Sequence, residues 1–182
     1  MNIFYLHRDV DTCAEMHNDK HVVKMILEYA QLLSTAHRVL DGEEYEYIFF
    51  KNGRKKRVWD LIDERQPILY MATHLNHPSS IWVRQNHQNY IWLSQLLYAL
   101  CKEYTYRYGK VHKVQREGLL EMLFNWPMNI PMGEFTEPTP AMPDDVKVSG
   151  DSIKSYRNYY IKNKTHLANW KNRKVPDWYA NI

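Results

Sequence analysis

The amino-acid sequence predicts a mainly α fold: a single-domain helix bundle, over residues 1–182, with a short N-terminal strand and a small β-hairpin. Only 6 of the 182 residues are glycine, and five of the eight prolines lie between residues 127 and 143, so long stretches contain no helix breaker. Hydrophobic residues make up 45% of the chain, which provides enough apolar surface for one buried core at this length. Strands and helices do not alternate, so a parallel sheet is not expected.

Local signals predict the order of the elements. Residues 2–6 (NIFYL) are of extended type and predict the short strand. Two extended runs over residues 45–57 flank Asn52-Gly53, a dipeptide that suits a tight two-residue turn, and they predict the hairpin. Capping residues, glycines and prolines predict five helices, over residues 12–40, 55–65, 78–109, 112–125 and 151–170. The long proline-rich connection over residues 126–145 has enough apolar residues to pack on the bundle as an ordered flap.

A narrow polar stripe follows the first predicted helix. Its members are spaced three or four residues apart: His17, His21, Lys24, Glu28, Gln31 and Thr35. The rest of the helix is apolar, which is typical of a central helix whose polar stripe faces a cavity, a partner or water. Histidine, lysine and glutamate suit proton transfer, so His21, Lys24 and Glu28 are the candidate catalytic residues. The alternative is that the stripe is an ordinary solvent-exposed face.

His17 and His21 are four residues apart, a spacing that can point two imidazoles at one metal ion. The sequence around them contains neither a His-Glu-x-x-His nor a Cys-x-x-Cys pattern, and Lys20 would place a cation beside the ion. We therefore expect no metal and no other cofactor.

Two further patterns suggest phosphate binding. His77 precedes Pro78 at a predicted helix start, where free N–H groups favour an anion, and Arg84 lies further along that helix. Cations also alternate with tyrosines in two runs that include Arg107, Lys110 and Arg157, as in proteins that stack bases and hold phosphates. The alternatives are a structural cap at His77 and tyrosine rings buried in the core, with the cations in solvent.

A cluster of cations falls within the predicted hairpin. It consists of Lys51, Arg54, Lys55, Lys56 and Arg57. The net charge of +3 is too small to identify a partner, but such a cluster is typical of a nucleic-acid-binding surface. A solvated surface without a partner is the alternative.

The cellular setting follows from simpler features. Cys13 and Cys101 lie far apart, the first residues lack the pattern of a signal peptide, and about 18 consecutive apolar residues occur nowhere. We expect a cytoplasmic protein without a membrane partner.

Several separated blocks of the sequence resemble an uncharacterised protein family of tailed phages of marine bacteria. They are DKHVVKMILE (19–28), NHP with WVR (76–84), EYTYRYGK (103–110), AMPD (141–144) and YRNYY (156–160). The resemblance implies no particular activity. It implies a location in the cytoplasm of an infected host cell and favours nucleic acids, nucleotides or host defence molecules as targets.

The chain is also similar in size and basic character to the small helical pyrimidine-dimer glycosylases of phages. Those enzymes use the free N-terminal amine of a small residue. Here Met1 is followed by Asn2, which disfavours removal of Met1, so we expect no such nucleophile and consider Lys24 the candidate amine.

Together these patterns predict a metal-independent enzyme acting on a phosphate-bearing nucleic acid or nucleotide, with a DNA base glycosylase as its most specific form. His21 is the expected general acid or base, Glu28 orients it or a water, and cations such as Lys24 hold the anionic substrate. A nucleotide phosphodiesterase or hydrolase is an alternative. So is a non-catalytic binder of nucleic acid or of a small nucleotide signal.

Overall fold

The structure, a computed structural model, describes residues 1–48 and 55–180, and it confirms a mainly helical chain with a small β-hairpin. The α-helices are α1 (Val10–Met16), α2 (Asp19–Asp41), α3 (Pro78–Val83), α4 (His87–Tyr108), α5 (Lys113–Arg116), α6 (Leu119–Met122), α7 (Ser152–Asn163) and α8 (Asp177–Ala180). Strands β1 (Glu43–Ile48) and β2 (Lys55–Asp60) pair antiparallel, with Glu43 opposite Asp60 and Ile48 opposite Lys55. The predicted Asn52-Gly53 turn lies outside the described residues.

The first predicted helix is in fact two helices. The backbone is extended at His17 and Asn18, and the Asn18 side chain accepts a hydrogen bond from the N–H of His21 at 2.9 Å. This cap satisfies a free donor at the start of α2, so the polar side chain breaks the helix within an apolar repeat. Asn86 divides the third predicted helix in the same way, because it accepts from the N–H of Asn89 at the start of α4.

Other predicted elements are wrong. Residues 55–60 form β2, as the predicted hairpin over residues 45–57 requires and the overlapping helix over residues 55–65 does not, because they pair with β1 immediately after α2. The predicted helix over residues 112–125 is the two short helices α5 and α6, and the last long helix ends at Asn163. Residues 2–6 form no strand: the N–H of Phe4 donates to the Tyr29 hydroxyl at 3.0 Å instead of to a neighbouring strand.

Helix α2 lies at the centre of the bundle and packs on α4, which also contacts α1. The extended N-terminal segment runs into the same core, where Ile3, Phe4, Tyr5 and Leu6 are all buried. The long connection packs on the bundle, as its apolar residues predict: the indole N–H of Trp82 donates to the Thr136 carbonyl at 3.0 Å. None of the helices in the described ranges is long and apolar enough to cross a membrane.

Buried Arg38 fixes the hairpin and the following segment against α2. Its guanidinium donates to the carbonyl groups of Trp59, Tyr70 and Leu69 at 2.7–2.8 Å. Gly42 allows the backbone after α2 to pass close to the Arg38 carbonyl oxygen, since a Cβ atom at this position would lie 2.6 Å from that oxygen. The segment after β2 is therefore held beside α2, where it forms one wall of the candidate site.

Candidate functional site

The polar stripe of α2 is divided between the core and the surface. His21 is buried, stacks on Phe4 with 4.1 Å between ring centroids, and its Nδ1 lies 2.6 Å from the Tyr160 hydroxyl. Burial, together with positive charges that include those of His17, Lys164 and Lys24, lowers the pKa of His21 to about 2. The ring is therefore neutral and packed as a core residue, a position that does not favour the predicted role of general acid or base.

Glu28 lies two turns further along α2 and contacts two primary amines. Its carboxylate is 3.0 Å from Lys24 Nζ and 3.5 Å from the backbone amine of Met1. The Glu28 side chain is 13% exposed and that of Lys24 is 69% exposed, so the group lies at the edge of the core. We call these three residues, Met1, Lys24 and Glu28, the amine cluster.

The position of the Met1 amine beside Glu28 was not predicted from the sequence. The signal that could have revealed it is the apolar run Ile3–Leu6, which is too hydrophobic to remain in solvent and brings Met1 onto α2 as it enters the core. The Met1 side chain is itself buried, which holds the amine beside Glu28.

A groove of about 730 Å³ lies between the hairpin and the segment after it. Its lining residues are Lys55, Arg57, Ala72, Thr73, His74, Leu75, Asn76 and His77. The segment packs alongside α2, because the N–H of Thr73 donates to the Thr35 hydroxyl at 3.1 Å. His74 adopts a left-handed backbone conformation with φ of 51°, which is uncommon outside glycine. We call this feature the histidine groove.

His77 links the histidine groove to the amine cluster. Burial lowers the pKa of His77, and so do the positive charges of the Met1 amine and of His74, whereas Glu28 acts in the opposite direction. The imidazole is thus within electrostatic reach of both the carboxylate and the amine. Its Nδ1 accepts from the N–H of Ser79 at 3.1 Å, so His77 also caps α3. Of the predicted site residues, the structure brings together Lys24, Glu28 and His77.

Arg84 and Arg107 bind groups within the protein. Arg84 donates to the carbonyl groups of Ser80 and Leu75 at 2.9 and 2.8 Å. Buried Arg107 donates to the Glu103 carboxylate at 2.6 Å and to Asp19 at 2.8 Å. Both guanidinium groups therefore bind groups of the protein itself.

Arg157 also has an internal partner, because its guanidinium donates to the Leu6 carbonyl at 2.8 Å and lies over the ring of Trp178. Lys110 is exposed just beyond the end of α4. These two of the predicted phosphate ligands belong to different parts of the chain, Arg157 to α7 and Lys110 to the residues after α4.

The hairpin cations are matched by carboxylates of the facing strand. Lys55 Nζ lies 3.0 Å from Glu46, and Arg57 Nε lies 2.5 Å from Glu44. Both pairs are exposed, so each is weak and easily exchanged for another anion. Lys56 lies between them on β2, and Lys51 and Arg54 lie outside the described residues.

A further group of basic residues lies around His21 at the start of α2. The charges of Lys24, Lys164 and His166 all act on the His21 ring. Lys164 Nζ also lies 4.8 Å from the centre of the Tyr159 ring. Neither Lys164 nor His166 was identified from the sequence.

Within residues 1–48 and 55–180, no three histidine, cysteine, aspartate or glutamate side chains form a group that could hold a metal ion. His17 and His21 have separate partners, since His17 Nδ1 lies 2.7 Å from the Cys13 carbonyl oxygen. No protein-family model, curated protein or solved structure matches the chain.

Proposed function

We propose that the chain is a DNA glycosylase that uses a primary amine beside Glu28 as its nucleophile. The observation that carries the proposal is the amine cluster: one half-buried carboxylate in contact with two primary amines, next to a groove lined by cations and histidines. An amine held against a carboxylate is the arrangement that covalent catalysis by imine formation needs. The cations near His21 and in the histidine groove supply the attraction for a polyanion.

The chemistry assigns a separate role to each member of the amine cluster. Glu28 accepts a proton from the neighbouring ammonium group, and the free amine attacks C1′ of a deoxyribose. The bond between C1′ and the base breaks, and the base leaves with the electron pair and takes up a proton. Loss of a proton from the bound nitrogen and protonation of O4′ then open the sugar ring and leave a protonated imine.

The surrounding residues bind the phosphate backbone. Lys164 and Lys24 act on the His21 ring near the start of α2, and Lys55 and Arg57 line the histidine groove. In this proposal a strand follows α2 from His21 to Glu28, a length of about 10 Å along the helix axis. The suggested phage origin and action in the host cytoplasm are consistent with an enzyme that acts on DNA, and they belong to the same proposal.

Reductive trapping tests the proposal directly. The protein is mixed with a duplex that contains one abasic site, and borohydride reduces any imine to a stable covalent adduct. We expect an adduct with the wild-type chain and a trapping rate at least about 10²-fold lower for Glu28→Gln, because the amide cannot accept the proton. Glu121→Gln, at an exposed glutamate of α6, is the matched control.

Lys24→Arg separates the two amines, because arginine keeps the charge but is not a nucleophile. Loss of the adduct assigns the reaction to Lys24. Retention assigns it to Met1, and mass spectrometry of the trapped peptide provides an independent check. The absence of any adduct, together with no release of damaged or mismatched bases, would refute the glycosylase.

The second candidate is a non-catalytic binder of nucleic acid or of a nucleotide. The buried position of His21 favours it, since the predicted proton-transfer group is remote from solvent, whereas binding needs only the flanking cations. A binder would show salt-dependent affinity for DNA, or one-to-one affinity for a nucleotide, without an adduct or product.

A further inference from the structure

A separate pocket of about 370 Å³ lies at the other end of the extended N-terminal segment. We call it the aromatic pocket, and its lining residues are Tyr5, Arg8, Trp92, Phe135 and Glu137. Three elements build it: the N-terminal segment, α4 and the long connection. None of the predicted site residues contributes to it.

The aromatic rings form one continuous wall. The centroid of Tyr5 lies 5.1 Å from that of Trp92, and Phe135 lies 6.1 Å from Tyr5 and 5.8 Å from Trp92. These distances are those of rings in direct contact. No gap between opposite rings remains for an enclosed ammonium ion, so the wall favours a flat ligand that stacks on one ring.

Hydrogen bonds hold residues of the aromatic pocket in place. The indole N–H of Trp92 donates to the Arg8 carbonyl oxygen at 3.0 Å, and Glu137 accepts from the N–H of Ser152 at 3.1 Å. Tyr5 is buried. A pocket fixed in this way loses little conformational freedom when a ligand binds.

Arg8 and Glu137 form a polar rim beside the aromatic wall. Their charged atoms lie 3.9 Å apart, and the Arg8 side chain is 81% exposed, so the ion pair is weak and opens at little cost. A guanidinium donates to carbonyl and ring-nitrogen acceptors of a base, and a carboxylate accepts from its exocyclic amine. The rim thus provides both kinds of hydrogen-bonding group that the edge of a nucleobase requires.

We infer that the aromatic pocket binds an unpaired nucleobase, preferably one that carries an exocyclic amine (guanine, cytosine or adenine) rather than thymine. The inference deepens the proposed function and rests on it, because it names a second contact to the same nucleic acid. The base is bound in the pocket, but its glycosidic bond is not cleaved there, since no primary amine lines the pocket.

Equilibrium binding of two single strands tests the inference. One strand carries normal bases, and the other has the same backbone with abasic spacers. Phe135→Ala removes one stacking surface, so we expect it to weaken binding of the base-containing strand about 5-fold to 150-fold and to leave the abasic strand unchanged. Phe124→Ala is the matched control, because Phe124 is comparably exposed (45% against 37%) and lies outside the pocket.

Glu137→Gln tests base preference, since the amide keeps an oxygen that can accept from Ser152. We expect it to reduce the preference for the amine-bearing bases guanine, cytosine and adenine over thymine in oligonucleotides of each base.

The outcomes separate the two proposals. Equal losses on both strands, or no loss for Phe135→Ala, would overturn the pocket even if trapping succeeds. A selective loss with neither a trapped adduct nor release of a damaged or mismatched base would support the pocket and refute the glycosylase. A wild-type chain that binds neither single strand would overturn the pocket, whatever the result of trapping on the duplex.

Discussion

Mild acid should unfold this protein, because three of its histidines are buried as neutral rings. Burial lowers the pKa of His17 and of His37 to about 4, and that of His21 to about 2, each from an ordinary value of 6.5. The contacts explain why protonation is resisted. His37 Nδ1 lies 3.0 Å from the guanidinium of Arg65, an N–H donor, so this nitrogen must accept. Nε2 of the same ring then donates to the Tyr90 hydroxyl or to the Asn125 carbonyl.

The magnitude follows from proton linkage. Below pH 6.5 the unfolded chain binds protons that the native chain excludes, so stability falls with pH until the native pKa is reached, near pH 4 for His17 and His37. One unit of pKa corresponds to about 1.4 kcal/mol, so each ring removes about 2 kcal/mol between pH 8 and pH 5. Three rings together remove about 6 kcal/mol, a large part of the 5–15 kcal/mol that typically holds a domain folded.

Urea unfolding followed by circular dichroism at several pH values between 8 and 5 measures this loss. His37→Gln should reduce the pH-dependent loss from about 6 to about 4 kcal/mol, whatever it does to stability at pH 8, because one titrating ring is gone. A wild-type loss below about 2 kcal/mol over this range would refute the reasoning, since the rings would then accept protons in the native state.

Three further predictions concern Glu103, Arg84 and the two hairpin cations Lys55 and Arg57. Glu103→Gln leaves buried Arg107 without one of its carboxylates and should lower the free energy of unfolding by about 3–5 kcal/mol, measured in urea. Arg84→Lys loses hydrogen bonds to internal carbonyl groups, so we expect a loss of about 1–3 kcal/mol in the same assay and unchanged DNA affinity; a selective loss of affinity would instead restore Arg84 as a phosphate ligand. Lys55→Gln with Arg57→Gln should flatten the dependence of log affinity on log salt by up to about 0.9 per lost phosphate contact, and an unchanged slope would remove the hairpin from the binding surface.

Sequence reasoning predicted the fold class because composition and apolar periodicity are local properties. It did not predict the breaks at Asn18 and Asn86, since each lies within an apolar repeat that continues on both sides. The hairpin was predicted to end at residue 57, and residues 58–60 were assigned to a helix, because their strand character depends on pairing with the start of β1, a contact between distant residues.

The candidate site was predictable only in part, for a similar reason. Lys24, Glu28 and His77 were found from residue type and spacing. The Met1 amine and the histidine groove depend on where distant segments meet, and such contacts leave no periodic signal. Arg84 and Arg107 were predicted to hold anions because arginine is charged, but their charge is directed to internal acceptors that only the fold reveals.

The extended N-terminal segment connects the stability of the core to both proposed sites. Met1 lies in the amine cluster and Tyr5 in the aromatic pocket, and four residues of extended chain separate them by at most about 14 Å. Between them, Phe4 stacks on His21 and fixes the segment against α2. A short stretch of nucleic acid spans that distance, so one strand can reach both ends of the segment. His21, which was predicted to transfer protons, therefore has a structural role, because its neutral ring packs on Phe4 in the segment that carries the Met1 amine.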